Sequence, residues 1–129
     1  YGDETGRKLS DARLNVDSDQ AFRSDMDWND IDTTLLRHFQ RLGNIRKTHP
    51  AIGIGKQTTI DTHTCIRRAG DDVLLIRLAP VANRPINVAG AFSEGDRLVE
   101  LYTGQSARVK NGSVSFPAYQ NRVAVITRE

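Results

Sequence analysis

The chain has 129 residues, which is the usual size of one domain with an appendage and leaves little room for two full domains. Its 18 Lys and Arg residues and 16 Asp and Glu residues give a net charge of +2, and the basic residues are scattered, which argues against nucleic acid as a partner. The apolar run at residues 73–76 ends at Arg77, and neither it nor the equally long run at residues 123–126 approaches the roughly 20 residues that span a bilayer, so no membrane segment is predicted.

The start of the chain and its single cysteine set two further expectations. Tyr1 is not preceded by an initiator methionine or a signal-peptide pattern, so we expect the chain to be a piece of a larger protein. Cys65 has no second cysteine to pair with, and a small buried hydrophobe is the simpler interpretation of it. The alternative is a nucleophile served by His63, but no third group is placed to orient that pair.

Residues 1–32 are rich in Asp, Ser, Asn and Gly and show no sustained hydrophobic period, which predicts an extended polar segment. Turns or a short helical piece are expected within Asp17–Arg23. The acidic run that begins at Asp25 resembles a calcium loop, but Asp30 and Leu36 occupy the positions where an EF-hand needs glycine and glutamate. We therefore interpret its aspartates as capping and solvated residues and predict no metal site in this chain, an irregular site being the alternative.

An amphipathic helix is predicted over residues 33–48. Apolar side chains return there every three or four residues, at Leu35, Leu36, Phe39, Leu42 and Ile45. Asp32 is placed to cap the first amides, Arg46 and Lys47 suit the negative C-terminal end, and Pro50 stops the helix at His49. In an isolated chain this stripe would be partly bare, and we expect it to drive self-association.

The residues after Pro50 predict an all-β region. Short strands separated by turn signals are expected at Gln57–Arg68, Asp72–Ala79, Ile86–Ala91, Arg97–Thr103, Ala107–Lys110, Ser113–Phe116 and Asn121–Thr127. Hairpin loops are expected at Ala69–Asp72 and Ser93–Asp96, and Asn111-Gly112 predicts a type I′ turn. Alternation along residues 98–103 and 122–127 indicates strands with one face in a core. The predicted fold is mainly β with one long helix, as an antiparallel Greek-key sandwich or an open barrel.

The sequence lacks a self-sufficient catalytic motif. No serine has the neighbours of a nucleophile elbow, and Gly53-Ile54-Gly55 fits a turn better than a phosphate-binding loop. The three histidines do not have the spacing of a zinc site; they are His38, His49 and His63. Four aromatic residues give a weak basis for stacking sugars; they are Trp28, Tyr102, Phe116 and Tyr119.

Three segments, in their order and spacing, resemble the α-amylase superfamily of glycoside hydrolases. They are Tyr1–Gly6, Arg23–Trp28 and Leu42–Ile52. The resemblance extends to Leu98–Gly104. Gly55–Thr59 together with Arg23–Met26 is similar to the periplasmic or secreted α-amylases of Gram-negative bacteria in particular. It implies that residues 1–49 are the end of a catalytic (β/α)₈ barrel and that residues 50–129 are a C-terminal β-sandwich.

The same resemblance implies that no catalytic residue lies in this chain, because the family's three carboxylates come from barrel strands that precede Tyr1. Asp3 and Glu4 would lie side by side on a strand and point to opposite faces, so they could not converge on one bond. Asp3 and Arg23 are the residues we expect to approach substrate, the alternative being an ion pair that ties the loop down.

By this resemblance the intact protein is a retaining glycosidase of α-1,4-glucans, secreted or periplasmic, and this part closes its barrel without activity of its own. Its partners would be the catalytic barrel and, through it, the α-glucan. No cofactor is expected in this chain, and a calcium ion would belong to the parent protein. The alternative is a free-standing carbohydrate-binding or interaction module made of β-strands.

Overall fold

The computed structural model describes residues 2–7 and 25–129. The chain divides into two units, Tyr1–Gly43 and Asn44–Glu129, and each is described by itself. The turns or short helical piece expected within Asp17–Arg23 lie outside the described residues. None of the helices in the described part of the chain has both the length and the apolar character needed to cross a membrane.

The described elements are two α-helices, a short 3-10 helix and eight strands. The helices are α1 (Thr33–Thr48), α2 (Pro50–Ile54) and the 3-10 helix Asp3–Thr5. The strands are β1 (Lys56–Asp61), β2 (Thr64–Ala69), β3 (Asp72–Leu78), β4 (Ile86–Asn87), β5 (Arg97–Glu100), β6 (Gln105–Arg108), β7 (Ser113–Val114) and β8 (Val123–Arg128). Six strands form one antiparallel sheet in the order β1-β2-β3-β8-β5-β6, and β4 pairs with β7 in a second sheet. The mainly β prediction is confirmed, whereas the Greek-key sandwich and the barrel remnant stay predictions.

Helix α1 has the predicted bounds, 33–48. The Oδ1 atom of Asp32 accepts hydrogen bonds from the N–H groups of Thr34 and Leu35, both at 2.9 Å, and so caps the helix as predicted. The apolar stripe does not share one environment, because Ile45 is buried while Phe39 and Leu42 are exposed.

Helix α2 was not predicted, although Pro50 at its first turn is a common helix start. Gly53 lies inside this helix and Gly55 follows it, so the turn interpretation of Gly53-Ile54-Gly55 is wrong for Gly53. Arg67 of β2 donates from Nε to the carbonyl oxygen of Ala51 at 3.0 Å and from Nη2 to that of Ile52 at 2.9 Å. The bond to Ile52 satisfies a carbonyl group that the short helix leaves open, whereas the Ala51 carbonyl also accepts from the N–H of Gly55 at 3.1 Å. Together the two bonds of Arg67 fix α2 to the sheet.

Asp72, the first residue of β3, is hydrogen-bonded to the start of α2. Its Oδ2 accepts a hydrogen bond from the N–H of Ala51 at 2.8 Å, and its Oδ1 lies 2.9 Å from Nδ1 of His49. Because a carboxylate can only accept, this contact assigns the ring proton of His49 to Nδ1. The two side chains are each only 20% exposed, so both bonds are shielded from water.

We expect Asp72→Ala to lower the free energy of unfolding by about 2 kcal/mol, because both bonds to a partly buried carboxylate are lost. Urea unfolding followed by circular dichroism measures this change. Asp71→Ala is the matched control, since Asp71 is exposed and lies in the adjacent turn. Equal effects of the two substitutions would contradict the role given to Asp72.

Both faces of the large sheet are buried at its centre. One cluster of buried side chains draws on both sheets and includes Leu75, Ile126, Ile86, Val114 and Phe116. A second cluster draws on the helices and the large sheet and comprises Ile45, Ala51, Leu74, Tyr102 and Val125. Neighbouring residues of β3 and β8 thus belong to different clusters, as alternation along a strand requires. The prediction of a single buried face is therefore wrong for residues 122–127, because the second sheet covers one face of β8 and the helices cover the other.

Several predicted strand bounds also need correction. The span Gln57–Arg68 is a hairpin, because the Asp61 carboxylate accepts from the N–H of His63 at 2.7 Å and from the Thr64 hydroxyl at 3.0 Å, which turns the chain. Strand β4 ends at Asn87 because Val88 starts a turn that bonds back to its carbonyl. The other predicted strands keep their order but begin or end one to three residues away from the predicted bounds.

The turn predictions had mixed outcomes. The Ala69–Asp72 hairpin joins β2 to β3, and Asn111 (φ 51°) and Gly112 (φ 67°) have the positive angles of a type I′ turn, so both predictions are confirmed. Ser93–Asp96 is a turn but not a hairpin, because β5 after it pairs with β6 and β8 and not with β4.

Candidate functional site

The amino-terminal loop carries Asp3, one of the two residues predicted to approach substrate. Asp3 and Glu4 are exposed and lie in a 3-10 helix bracketed by Gly2 (φ 84°) and Gly6 (φ 65°). The premise that they sit on a strand is wrong, because the left-handed glycines close a turn around Thr5 instead. Thr5 is buried, and its hydroxyl donates to the carbonyl oxygen of Gly2 at 2.8 Å.

Close packing explains why glycine stands at Gly2. A Cβ atom there would lie 2.9 Å from Sδ of Met26 and 3.0 Å from Cβ of Arg7. The carbonyl oxygen of Thr5 accepts from the N–H of Asp32 at 2.9 Å, so the loop is tied to the start of α1. This loop therefore presents the Asp3 carboxylate to solvent from a braced backbone.

The second predicted substrate residue, Arg23, lies outside the described residues, so its approach to Asp3 stays a prediction. In the acidic run, Oδ1 of Asp27 accepts from the N–H of Asn29 at 2.9 Å, which makes this aspartate part of a turn. Within residues 2–7 and 25–129, no group of three or more His, Cys, Asp or Glu side chains is placed to hold a metal ion.

The aromatic residues of the β-region do not form a sugar platform. Tyr102 and Phe116 are buried in separate clusters, and Tyr119 packs edge-on against Phe116 with ring centroids 6.1 Å apart. Trp28, which belongs to the first unit, is 73% exposed. A stacking surface needs exposed ring faces, so Tyr102 and Phe116 are unavailable for it.

Glu100 is a buried carboxylate whose role the sequence did not indicate. It is fully buried at the end of β5. Its Oε1 accepts from the N–H groups of Tyr102 (3.0 Å) and Val125 (3.2 Å), and its Oε2 accepts from the N–H and hydroxyl of Thr103 (2.8 and 2.7 Å). The carboxylate thus closes the turn after β5 and extends the pairing of that turn to β8. The sequence does contain one sign of this role, because Glu100 is a charged residue directly after the apolar residues of its strand and directly before a turn.

Cys65 is half-buried on β2, opposite Ile76 and Thr59. Burial raises the pKa of its thiol, an effect that the nearby Arg67 guanidinium only partly offsets. His63 lies in the turn before β2, so the two residues are not on one strand as the nucleophile alternative assumed. A raised pKa leaves less thiolate, which disfavours a nucleophilic role.

We expect Cys65 to react with iodoacetamide at pH 7.5 more slowly than a cysteine in an unstructured peptide, because its thiolate fraction is lower. Mass spectrometry over time gives both rates, and unfolding in urea should make them equal. If Cys65 in the folded chain reacted as fast as the peptide cysteine or faster, its thiol would not have the raised pKa described here.

Comparison with known proteins places these features in a family context. No family model matches the chain. The chain is 38% identical over 82 residues to the periplasmic alpha-amylase of Escherichia coli K12, a match that covers 59% of this chain and 12% of that protein. The chain therefore spans only about an eighth of the length of this relative.

Two solved structures are similar in fold to this chain. The structure of an AmyP variant in complex with maltotriose matches the whole chain with a TM-score of 0.70 and 21% identity, over 31% of its own length. An Anoxybacillus alpha-amylase matches 81% of the chain with a TM-score of 0.60 and 17% identity, over 24% of its own length. These structural likenesses concern the fold. The sequence match confirms the resemblance of this chain to the α-amylase superfamily of glycoside hydrolases, and the structural likenesses show that the fold is shared.

Proposed function

We propose that this chain is the C-terminal part of an α-amylase-type glycoside hydrolase that acts on α-1,4-glucans, and that the part itself is structural. The observation that carries the proposal is the sequence match to a much longer periplasmic alpha-amylase, of which the chain covers 12%. In this proposal residues 1–49 are the end of the catalytic barrel and residues 50–129 form a Greek-key sandwich. The parent enzyme retains the anomeric configuration and works in the periplasm or outside the cell.

The described contacts support a structural role for this part. The carboxylates of Glu100 and Asp72 form hydrogen bonds with backbone N–H groups, the Thr103 hydroxyl and the His49 ring, and so hold a turn and a helix start in place. Buried groups that are satisfied internally stabilise a fold rather than bind substrate. The barrel of the parent is the proposed partner, the α-glucan reaches this part only through it, and any calcium ion belongs to the parent.

Asp3 and Arg23 keep a proposed role as residues that approach the glucan from the end of the barrel. The exposed, braced position of Asp3 supports this for one of them. In the full parent, Asp3→Asn should raise KM for maltoheptaose with little change in kcat, since Asp3 does not act on the scissile bond. A fall in kcat alone would contradict this assignment.

Two measurements on this chain and one on its parent test the proposal. The isolated chain should release no reducing ends from maltoheptaose and should give negligible heat when titrated with it. Hydrolysis by the isolated chain would contradict the proposal that it is purely structural. A saturable heat of binding would instead favour the free-standing carbohydrate-binding module. In the parent, three carboxylates on preceding barrel strands should each be essential for hydrolysis of α-1,4-glucans.

Self-association of the isolated chain is a further consequence of this proposal. Phe39 and Leu42 are 42% and 37% exposed on α1, and exposed apolar side chains on one helix face favour association. Sedimentation velocity should show a concentration-dependent dimer that Phe39→Ser converts to monomer. A monomer at all concentrations in the unaltered chain would refute this consequence and leave the proposed function standing.

A further inference from the structure

A cleft of about 370 Å³ lies beside the β1–β2 turn and the loop that joins β3 to β4. Its polar lining includes Asp61, Thr64, Arg77 and Arg84, and its apolar lining includes Ile60 and Val81. Ile60 and Val81 are 43% and 55% exposed. This volume is at the lower end of the range for small-molecule sites, so a ligand here would be small.

The loop wall of the cleft is held in place by its own backbone. Ala79 (φ 47°) and Asn83 (φ 58°) have left-handed angles, which cost about 1 kcal/mol or more each for residues other than glycine. The N–H of Ala79 donates to the carbonyl oxygen of Arg122 at 2.8 Å, and that of Asn83 donates to the carbonyl oxygen of Phe116 at 2.9 Å. Because Phe116 is fully buried, the loop is anchored to the core and the cleft exists without a ligand.

The single carboxylate of the cleft is already satisfied. Both oxygens of Asp61 are within 3.1 Å of Nη1 of Arg77, and they also accept from the N–H of His63 and the hydroxyl of Thr64. The His63 N–H, the Thr64 hydroxyl and the Arg77 charge hold the pKa of Asp61 below its ordinary value. Asp61 therefore stays ionised and offers little further accepting capacity to a ligand.

The donors of the cleft are not satisfied to the same degree. Arg77 uses only Nη1 in its bonds to Asp61 and Thr64, so Nε and Nη2 remain open within the described residues. Across residues 2–7 and 25–129, the guanidinium of Arg84 has no hydrogen-bond or ion-pair partner. Two guanidinium groups and one carboxylate leave one positive charge in the cleft.

We propose that this cleft binds a small organic carboxylate with an aliphatic body. A guanidinium group presents parallel N–H donors that match the two oxygens of a carboxylate, and such charged hydrogen bonds are stronger than neutral ones. Ile60 and Val81 favour an organic ligand over an inorganic anion, because covering them removes apolar surface from water. The inference does not depend on the proposed glycosidase parent, since the cleft is built within residues 44–129.

Two-dimensional ¹H–¹⁵N NMR titration of the full chain tests this site with 4-methylpentanoate, its neutral amide and inorganic phosphate as probes. The carboxylate should cause saturable shifts in the amides of residues 61–64, 79, 81–84, 86 and 87. Arg84→Gln should weaken its binding by about tenfold, because one charged pair is lost. The matched control Arg46→Gln, at an exposed arginine of α1 that does not line the cleft, should bind as the unaltered chain does.

The aliphatic wall of the cleft, formed by Ile60 and Val81, is tested by a separate substitution. Val81→Ser should weaken binding of 4-methylpentanoate while leaving that of acetate unchanged, because only the longer ligand covers this wall. Equal binding of the neutral amide, preference for phosphate, or no saturable shift would each overturn the proposal. Unchanged shifts outside the cleft in the Arg84 variant establish that it folds, since Arg84 has no described side-chain partner to lose.

Discussion

Replacement of Glu100 by alanine is expected to lower the free energy of unfolding by about 3 to 5 kcal/mol, because it leaves several buried hydrogen-bond donors without an acceptor. The N–H groups of Tyr102, Thr103 and Val125 all donate to this carboxylate at 2.8–3.2 Å. Glu100 is 0% exposed, so water cannot take its place without opening the core. Glu100→Gln keeps one acceptor and should show an intermediate loss. Urea unfolding followed by circular dichroism gives the free energy of unfolding of the unaltered chain and of both variants.

Glu94 is a matched control for this prediction. Its carboxylate also accepts from two backbone N–H groups, those of Asn111 and Gly112, at 3.1 and 3.2 Å. Glu94 is exposed, so water can replace it, and Glu94→Ala should cost less than about 1 kcal/mol. If the two alanine variants lost the same stability, burial would not be what makes the Glu100 carboxylate matter.

The features that the sequence predicted well are set by neighbouring residues. The bounds of α1 follow from the cap at Asp32 and the stop at Pro50, and both signals lie next to the helix they limit. Likewise, Asn111 and Gly112 adopt positive φ because their own residue types tolerate it. The bounds of the helix and the type of the turn each depend on a few adjacent residues. Hydrophobic periodicity and the turn preferences of single residues are therefore enough to predict them.

The features that the sequence did not predict depend on residues far apart in the chain. Glu100 bonds to Val125, 25 positions away, and Asp72 bonds to His49, 23 positions away. Strand β8 is buried on both faces because helices cover one side, and nothing within β8 itself tells how many layers enclose it. The candidate cleft is equally hidden in the sequence, because Arg84 and Ile60 lie on its lining only after the sheet has formed.

The contact of α2 with the sheet leads to the second large prediction, at Gly55. This residue has φ −70° and ψ 153°, which any residue can adopt, so its requirement for glycine is steric rather than conformational. A Cβ atom there would lie 2.7 Å from the carbonyl oxygen of Arg68 and 2.8 Å from Cα of Ala51, and closer still to the carbonyl oxygen of Ala51. All of these are backbone atoms, and the Ala51 backbone is itself held by Asp72 and Arg67.

We therefore expect Gly55→Ala to lower the free energy of unfolding by about 3 kcal/mol or more, because the added methyl group must push α2 away from β2. Gly53→Ala, two residues earlier in α2, is the matched control, since a Cβ atom there would meet nothing within 4 Å. That substitution should stabilise the chain by about 0.5 to 1 kcal/mol through helix propensity. Urea unfolding of both variants gives the comparison, and amide exchange of residues 51–54 should accelerate only in the Gly55 variant. A Gly55 variant as stable as the Gly53 variant would mean that α2 does not lie against β2 as closely as the structure places it.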